Sequence, residues 1–158
     1  FTTMQWVMAG NDTEWLRYGT IETREKHYLT WKEQGDAAVV GDGTASNPLD
    51  RALRQLFDKR RFLELVHDFV AFDRGVKKLC RPHQYFGVRA AQDHVRRREG
   101  GIVWHTQGSG KSLTMVWLAR WIREHGRDGR VLVITDRKEL DEQIEKVFLG
   151  VGEQIRRT

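Results

Sequence analysis

The sequence predicts an α/β protein built on a parallel sheet, and three observations point to it. Ile102, Val103 and Trp104, and later Val131, Leu132, Val133 and Ile134, are apolar runs without polar alternation, as strands covered on both faces are. Between them Leu113, Val116, Trp117 and Trp121 recur at helical spacing. A glycine-rich stretch, residues 105–112, joins the first run to that helix. Strand, loop, helix and strand in that order make a βαβ unit with flanking helices.

Composition narrows the class. The 158 residues are 39% hydrophobic and 31% charged with two prolines, enough apolar material for a folded core, which excludes a wholly disordered chain. A single cysteine, Cys80, forms no intrachain disulfide, and no Cys/His pair has zinc-ligand spacing. A reducing, cytoplasmic setting is therefore expected. No apolar run approaches the roughly 20 residues of a membrane span, so no membrane partner is expected. The chain begins at Phe1 without a signal-peptide pattern, and the expectation is a piece of something longer. The net charge of +5 is uneven: residues 1–50 hold 4 basic and 8 acidic groups, residues 51–100 hold 13 and 6, and residues 101–158 hold 10 and 8. A polyanionic partner would feel the middle third most.

Taken in order, Phe1 to Ala9 alternate weakly with period two and read as a strand, a turn follows at Gly10-Asn11-Asp12, and residues 14–21 are a candidate partner strand. Residues 35–47 are rich in Gly, Asp, Ala and Ser and read as a linker. Asn47-Pro48 has the form of a helix cap followed by proline, with Leu49, Leu53, Leu56 and Phe57 at helical spacing after it. Phe62, Val66, Phe69 and Val70 share a second helical face and read as core. Pro82 opens a third helix, His83 to Glu99, stopped by Gly100-Gly101. After the second apolar run, Leu140, Ile144, Val147 and Phe148 mark a last helix.

The chemistry sits in His105-Thr106-Gln107-Gly108-Ser109-Gly110-Lys111-Ser112. Glycines let the backbone curl so that successive N–H groups face phosphate oxygens, and the helix start adds its dipole. In such a P-loop Thr106, Gln107, Gly108, Ser109 and Gly110 cradle ATP, Lys111 neutralises the β and γ phosphates, and the Ser112 hydroxyl ligates Mg²⁺. The general pattern has glycine where His105 stands. The second catalytic half, an acid at the end of another buried strand, has two candidates, Asp136 and Asp141-Glu142, neither with the full pattern.

Residues 105–115, ending Leu113-Thr114-Met115, resemble motif I of the restriction (R) subunit of type I restriction enzymes, ATP-driven DNA translocases of helicase superfamily 2, where histidine at the first position is usual. Phe72-Asp73-Arg74-Gly75-Val76-Lys77-Lys78-Leu79 and His83-Gln84-Tyr85-Phe86 are similar to that family's lead-in. Val133-Ile134-Thr135-Asp136-Arg137, with Leu140, Asp141 and Gln143, resembles its motif Ia. The resemblance implies a RecA-like parallel sheet, incomplete here, preceded by the end of a nuclease-like α/β domain. It implies a division into residues 1–34 (nuclease end), 35–47 (linker), 48–100 (helical lead-in) and 101–158 (start of the motor). It moves Asp136 out of the Mg²⁺ role, leaving it to cap the following helix, and assigns Thr135 and Arg137 to DNA phosphate. It makes Gln84 the adenine reader, since a carboxamide can pair with N6 and N7 in one plane.

The implied partners are double-stranded DNA and the methylase and specificity subunits of a bacterial or archaeal restriction-modification complex. Neither the acidic metal motif nor the nuclease's D…E-x-K cluster is found in these residues, so the stretch is expected to bind nucleotide without hydrolysing it or cutting DNA. Arg89 and Arg96-Arg97-Arg98 read as a solvated helix end, His67, His94 and His125 as surface or boundary residues, and Cys80 as a small buried one. The alternatives are a small P-loop kinase, marked by an acceptor pocket and lid after the second strand, another P-loop NTPase, and a non-catalytic DNA- or nucleotide-binding remnant.

Overall fold

In the computed structural model, which describes residues 4, 6–33 and 47–156, three short strands open the chain. β1 (Val7–Ala9), β2 (Arg17–Gly19) and β3 (Leu29–Thr30) form an antiparallel sheet in that order, with Val7 opposite Gly19 and Arg17 opposite Thr30. The expected strand pair is thus present but shorter. Its turn is held by Asn11, whose Oδ1 accepts the N–H groups of Thr13 at 3.1 Å and Glu14 at 2.7 Å, the local bonding for which asparagine is favoured in turns. Most of the expected linker, residues 35–46, lies outside the described residues.

Five helices follow: α1 (Pro48–Leu56), α2 (Lys59–Asp68), α3 (Pro82–Arg97), α4 (Lys111–His125) and α5 (Lys138–Gly150). Asn47 caps α1 by accepting the Asp50 N–H at 2.8 Å, and Asp58 caps α2 by accepting that of Arg61 at 3.0 Å; such caps satisfy N–H groups that the first turn leaves unbonded. Val70, placed by its spacing on the face of α2, begins a strand instead. β4 (Val70–Asp73) and β5 (Val76–Leu79) form a hairpin. Its two turn residues, Arg74 (φ 51°) and Gly75 (φ 80°), are both left-handed, the backbone whose twist matches a two-residue hairpin.

The chain divides into two compact units, residues 1–70 with 79–82, and residues 71–78 with 83–158. In the first, Leu16, Tyr18, Trp31, Ala52, Leu56, Leu65, Phe69 and Cys80 are buried. Trp6 stacks on Tyr18 with ring centroids 4.9 Å apart, and the Tyr18 hydroxyl donates to the Cys80 carbonyl at 2.8 Å. Arg61 pairs with the buried Glu33 carboxylate, which also accepts the Trp31 indole N–H at 3.0 Å. Burial pushes the Cys80 thiol well above its ordinary range. In the second unit Val116 and Ala119 of α4 pack on Ile144 and Phe148 of α5, the faces the helical spacing marked. Glu153, just beyond α5, binds Arg120 at 3.2 Å and also Arg123.

The two apolar runs depart from expectation. Neither residues 102–104 nor 131–134 form a strand among the described residues, and Trp104 and Ile134 are 88% and 84% exposed. A strand exists only through a neighbour that takes up its N–H and C=O groups. These runs pair neither with each other nor with β4 and β5, so the fold is α/β with small sheets, and apolarity alone does not supply a ladder. No described helix is long and apolar enough to cross a membrane.

Tyr18→Phe tests the first unit's core. It keeps the ring but leaves the buried Cys80 carbonyl without its donor, a loss of about 1–3 kcal/mol, expected as a lower urea midpoint with unchanged slope. An unchanged midpoint would show that this hydrogen bond does not hold the unit.

Candidate phosphate-binding site

Residues 105–110 lead into α4 through two left-handed glycines. The Thr106 carbonyl accepts the Ser109 N–H at 3.3 Å, closing a four-residue turn whose third residue, Gly108, has φ 74°; a type II turn needs positive φ there. Gly110 (φ 85°, ψ 33°) caps α4, and its carbonyl accepts the N–H groups of Leu113 at 3.1 Å and Thr114 at 3.2 Å. A Cβ at Gly110 would collide with the Gln84 carboxamide, so side chain and φ exclude other residues together. Glycine offers no side chain to cap the helix. The N–H groups of Lys111 and Ser112, in the first turn, have no carbonyl within the helix to bond, and they are the groups an anion would use.

Lys111 is exposed and turns back along the loop, its Nζ donating to the carbonyls of His105 and Thr106, both at 3.1 Å. Thr106, Gln107 and Gly108 are exposed, whereas Ser109 is buried and its Oγ has no hydrogen-bond partner among the described residues. Ser112 is half-buried in the first turn of α4. These residues therefore form one continuous loop and helix start.

α3 supplies the loop's support. Gln84 is 3% exposed, and its Nε2 donates to the Gly110 carbonyl at 2.9 Å. The family resemblance assigns it to adenine; in the structure its carboxamide lies against the loop backbone. Two further contributors are His83, which the lead-in block contains without a role, and Gly87. His83 Nε2 lies 3.1 Å from the Ser109 carbonyl, which requires the ring to donate there. Its ring meets that of His105 edge-on at 4.9 Å. One turn along, Gly87 leaves room for His105: a Cβ there would come within 3.2 Å of Nε2. The only signal for the pair is their i, i+4 relation on one helix face.

Thr135 and Arg137 lie before α5, on a different helix from the loop. The N-cap position of α5 is Arg137, with no side-chain capping bond, so Asp136 stands one residue before the capping position expected of it. Its exposed carboxylate lies 3.7 Å from the Arg137 guanidinium. At the end of α3 Arg96 pairs with Asp93 at 2.6 Å and Arg97 with Glu99 at 2.8 Å, as a solvated helix end does. His94 Nδ1 donates to the Gly100 carbonyl at 2.9 Å.

Desolvation of the His105 ring, with His83 beside it, holds that imidazole below its ordinary value of 6.5. The unfolded chain therefore takes up the proton first, so stability is full above 6.5, falls as pH drops through it, and levels off below the folded value. An NMR titration should give His105 a midpoint below 6.5; a midpoint at or above that value would contradict the packing.

Comparison with known proteins agrees with the residue pattern. The SWI2/SNF2 ATPase family profile matches residues 83–158. The chain is 28% identical over 156 residues to the type I restriction enzyme HindI endonuclease subunit of Haemophilus influenzae, covering 90% of this chain and 15% of that protein. It is 35% identical over 135 residues to the putative type I restriction enzyme MjaIXP endonuclease subunit of Methanocaldococcus jannaschii (78% and 13%), and 38% identical over 145 residues to the SauCOLORF180P endonuclease subunit of Staphylococcus aureus (90% and 15%). The chain thus spans about one seventh of the length of these relatives. Over that span the resemblance carried by the phosphate loop and its flanking blocks holds: the chain is similar to the endonuclease subunits of type I restriction enzymes and, from His83 onward, to the SWI2/SNF2 ATPase family.

Proposed function

We propose that this chain is the ATP-binding, DNA-contacting stretch of a type I restriction endonuclease subunit, whose intact form hydrolyses ATP to translocate DNA and cleaves it. The observation that carries the reading is the loop itself: two left-handed glycines turn the backbone into α4, and Lys111 stands as its first residue. The homologues' names and the ATPase profile support the same conclusion.

Residues 106–110 would cradle the triphosphate through their backbone N–H groups, Lys111 would hold the β and γ phosphates, and Ser112 would ligate Mg²⁺. The donor set fits: a buried Ser109 hydroxyl without a partner, free helix-start N–H groups, and an ammonium within reach of the loop. Bound Mg²⁺ supplies charge neutralisation across the phosphates. Gln84 is proposed to read adenine from the same place where it bonds Gly110. Residues 102–104 and 131–134 become parallel strands of a RecA-like sheet once other strands flank them. Residues 1–34 would be the end of the nuclease domain, 35–47 a linker and 48–100 the lead-in. Double-stranded DNA and the methylase and specificity subunits are the proposed partners, in the cytoplasm of a bacterium or archaeon. Alone, these residues bind nucleotide without turnover, since no acidic metal motif accompanies the loop.

Titration with a fluorescent ATP analogue and Mg²⁺ tests the nucleotide site. Lys111→Ala is expected to weaken binding by about tenfold or more, because a charge-assisted contact to phosphate is lost; unchanged affinity would end the phosphate-loop assignment. For DNA, Arg137→Ala should weaken duplex binding evenly across sequences and lower the slope of log affinity against log salt by about 1. A slope equal to wild type would remove Arg137 from the interface.

A further inference from the structure

Two adjacent residues of α3 hold two adjacent carbonyls of the phosphate loop: His83 Nε2 binds the Ser109 carbonyl at 3.1 Å, and Gln84 Nε2 binds that of Gly110 at 2.9 Å. No peptide bond in the described chain is cis, and in a trans peptide the C=O of one residue and the N–H of the next point in opposite directions. Drawing the Ser109 carbonyl toward α3 therefore turns the Gly110 N–H away from it. Fixing the Gly110 carbonyl does the same to the Lys111 N–H. Successive N–H groups presented on one side form an anion-receiving concavity.

We propose that His83 is a positioning residue for phosphate binding, acting through the Ser109 carbonyl to aim the Gly110 N–H at the triphosphate; this rests on the nucleotide-binding role proposed above. The ring is placed for the task. Its edge-on contact with His105, at 4.9 Å between centroids, limits its rotation, and Gly87 on the same face gives His105 the room to lie there. Ser109 is 6% exposed, and a buried carbonyl that loses its donor is costly to leave unpaired. In the absence of the His83 donor the Ser109–Gly110 peptide is free to rotate toward another partner, carrying its N–H off target. Gln84 binds the carbonyl of the following plane, a different group from the one His83 binds.

The test uses the intact chain and two probes, a fluorescent ATP analogue with Mg²⁺ and inorganic tripolyphosphate as its competitor. His83→Phe keeps a ring against His105 and removes the donor; His83→Gln returns an N–H at the reach of Nε2. The Phe variant, while still folded, should bind both probes about tenfold more weakly, and the Gln variant should recover to within about twofold. Equal loss for both probes follows from phosphate positioning, which no contact to the base would produce. Wild-type binding by the Phe variant, no recovery by the Gln variant, or a loss confined to the ATP analogue would each overturn the proposal. Should the Phe variant fail to fold, His83→Asn, too short to reach Ser109, takes its place, and binding equal to that of His83→Gln overturns it. Lys111→Ala separates the two levels. If it alone loses binding, the phosphate loop stands and His83 has no part; if it too binds as wild type, both readings fall.

Discussion

One carbonyl oxygen, that of Gly110, joins the parts on which the site depends. It accepts the N–H groups of Leu113 and Thr114 that begin α4, and the Gln84 carboxamide that arrives from α3. The Thr114 hydroxyl also points at it, at 3.4 Å; a carbonyl has two lone pairs, so these donors must share it, and the sharing fixes the approach of each. The residue has to be glycine, because φ is 85° and a Cβ would meet Gln84. The curl of the loop, the first turn of α4 and the seat of α3 are thus set at a single peptide. A change to any one is felt by the other two.

What was legible in the sequence was what local spacing decides. Asn47-Pro48 marked the start of α1 and Pro82 that of α3, because a cap and a first-turn proline act within a few residues. The α4 and α5 faces that meet at Val116 and Ile144 followed from helical periodicity. Val70 was misplaced because it falls on the α2 face by spacing, while the Arg74-Gly75 turn downstream pulls it into a hairpin. The apolar runs at 102–104 and 131–134 show a further limit: their composition is that of buried strands, yet a strand is a relation between two segments, and composition describes only one. At the site, motif spacing delivered the loop and not its support. Nothing local tells that Gln84 is buried against Gly110 or that His83 reaches Ser109, since those bonds join residues 26 apart.

Several arginines of the basic middle third are paired locally. Its basic excess suggested a polyanion partner, but Arg54 pairs with Asp50, Arg60 with Glu64, Arg96 with Asp93 and Arg97 with Glu99. Such exposed pairs contribute little to stability, typically about 0–1 kcal/mol. They neutralise charge locally, but Glu64, Asp93 and Glu99 already belong to the same third, so its net basic excess remains. Arg61 is spent inside the first unit on Glu33 and the Trp31 ring.

The hairpin tip has a last consequence, in the order of events during folding. The Arg74 N–H donates to the Gly150 carbonyl at 3.0 Å, and a Cβ at Gly150 would meet the Asp73 carboxylate. The end of α5 is therefore completed by a turn that was synthesised long before it. Contacts so distant in sequence incur the entropy of closing a long loop before they return any stabilisation. Helices α3 and α4 can form from neighbouring residues, whereas the bond between Arg74 and Gly150 waits for the whole chain between them.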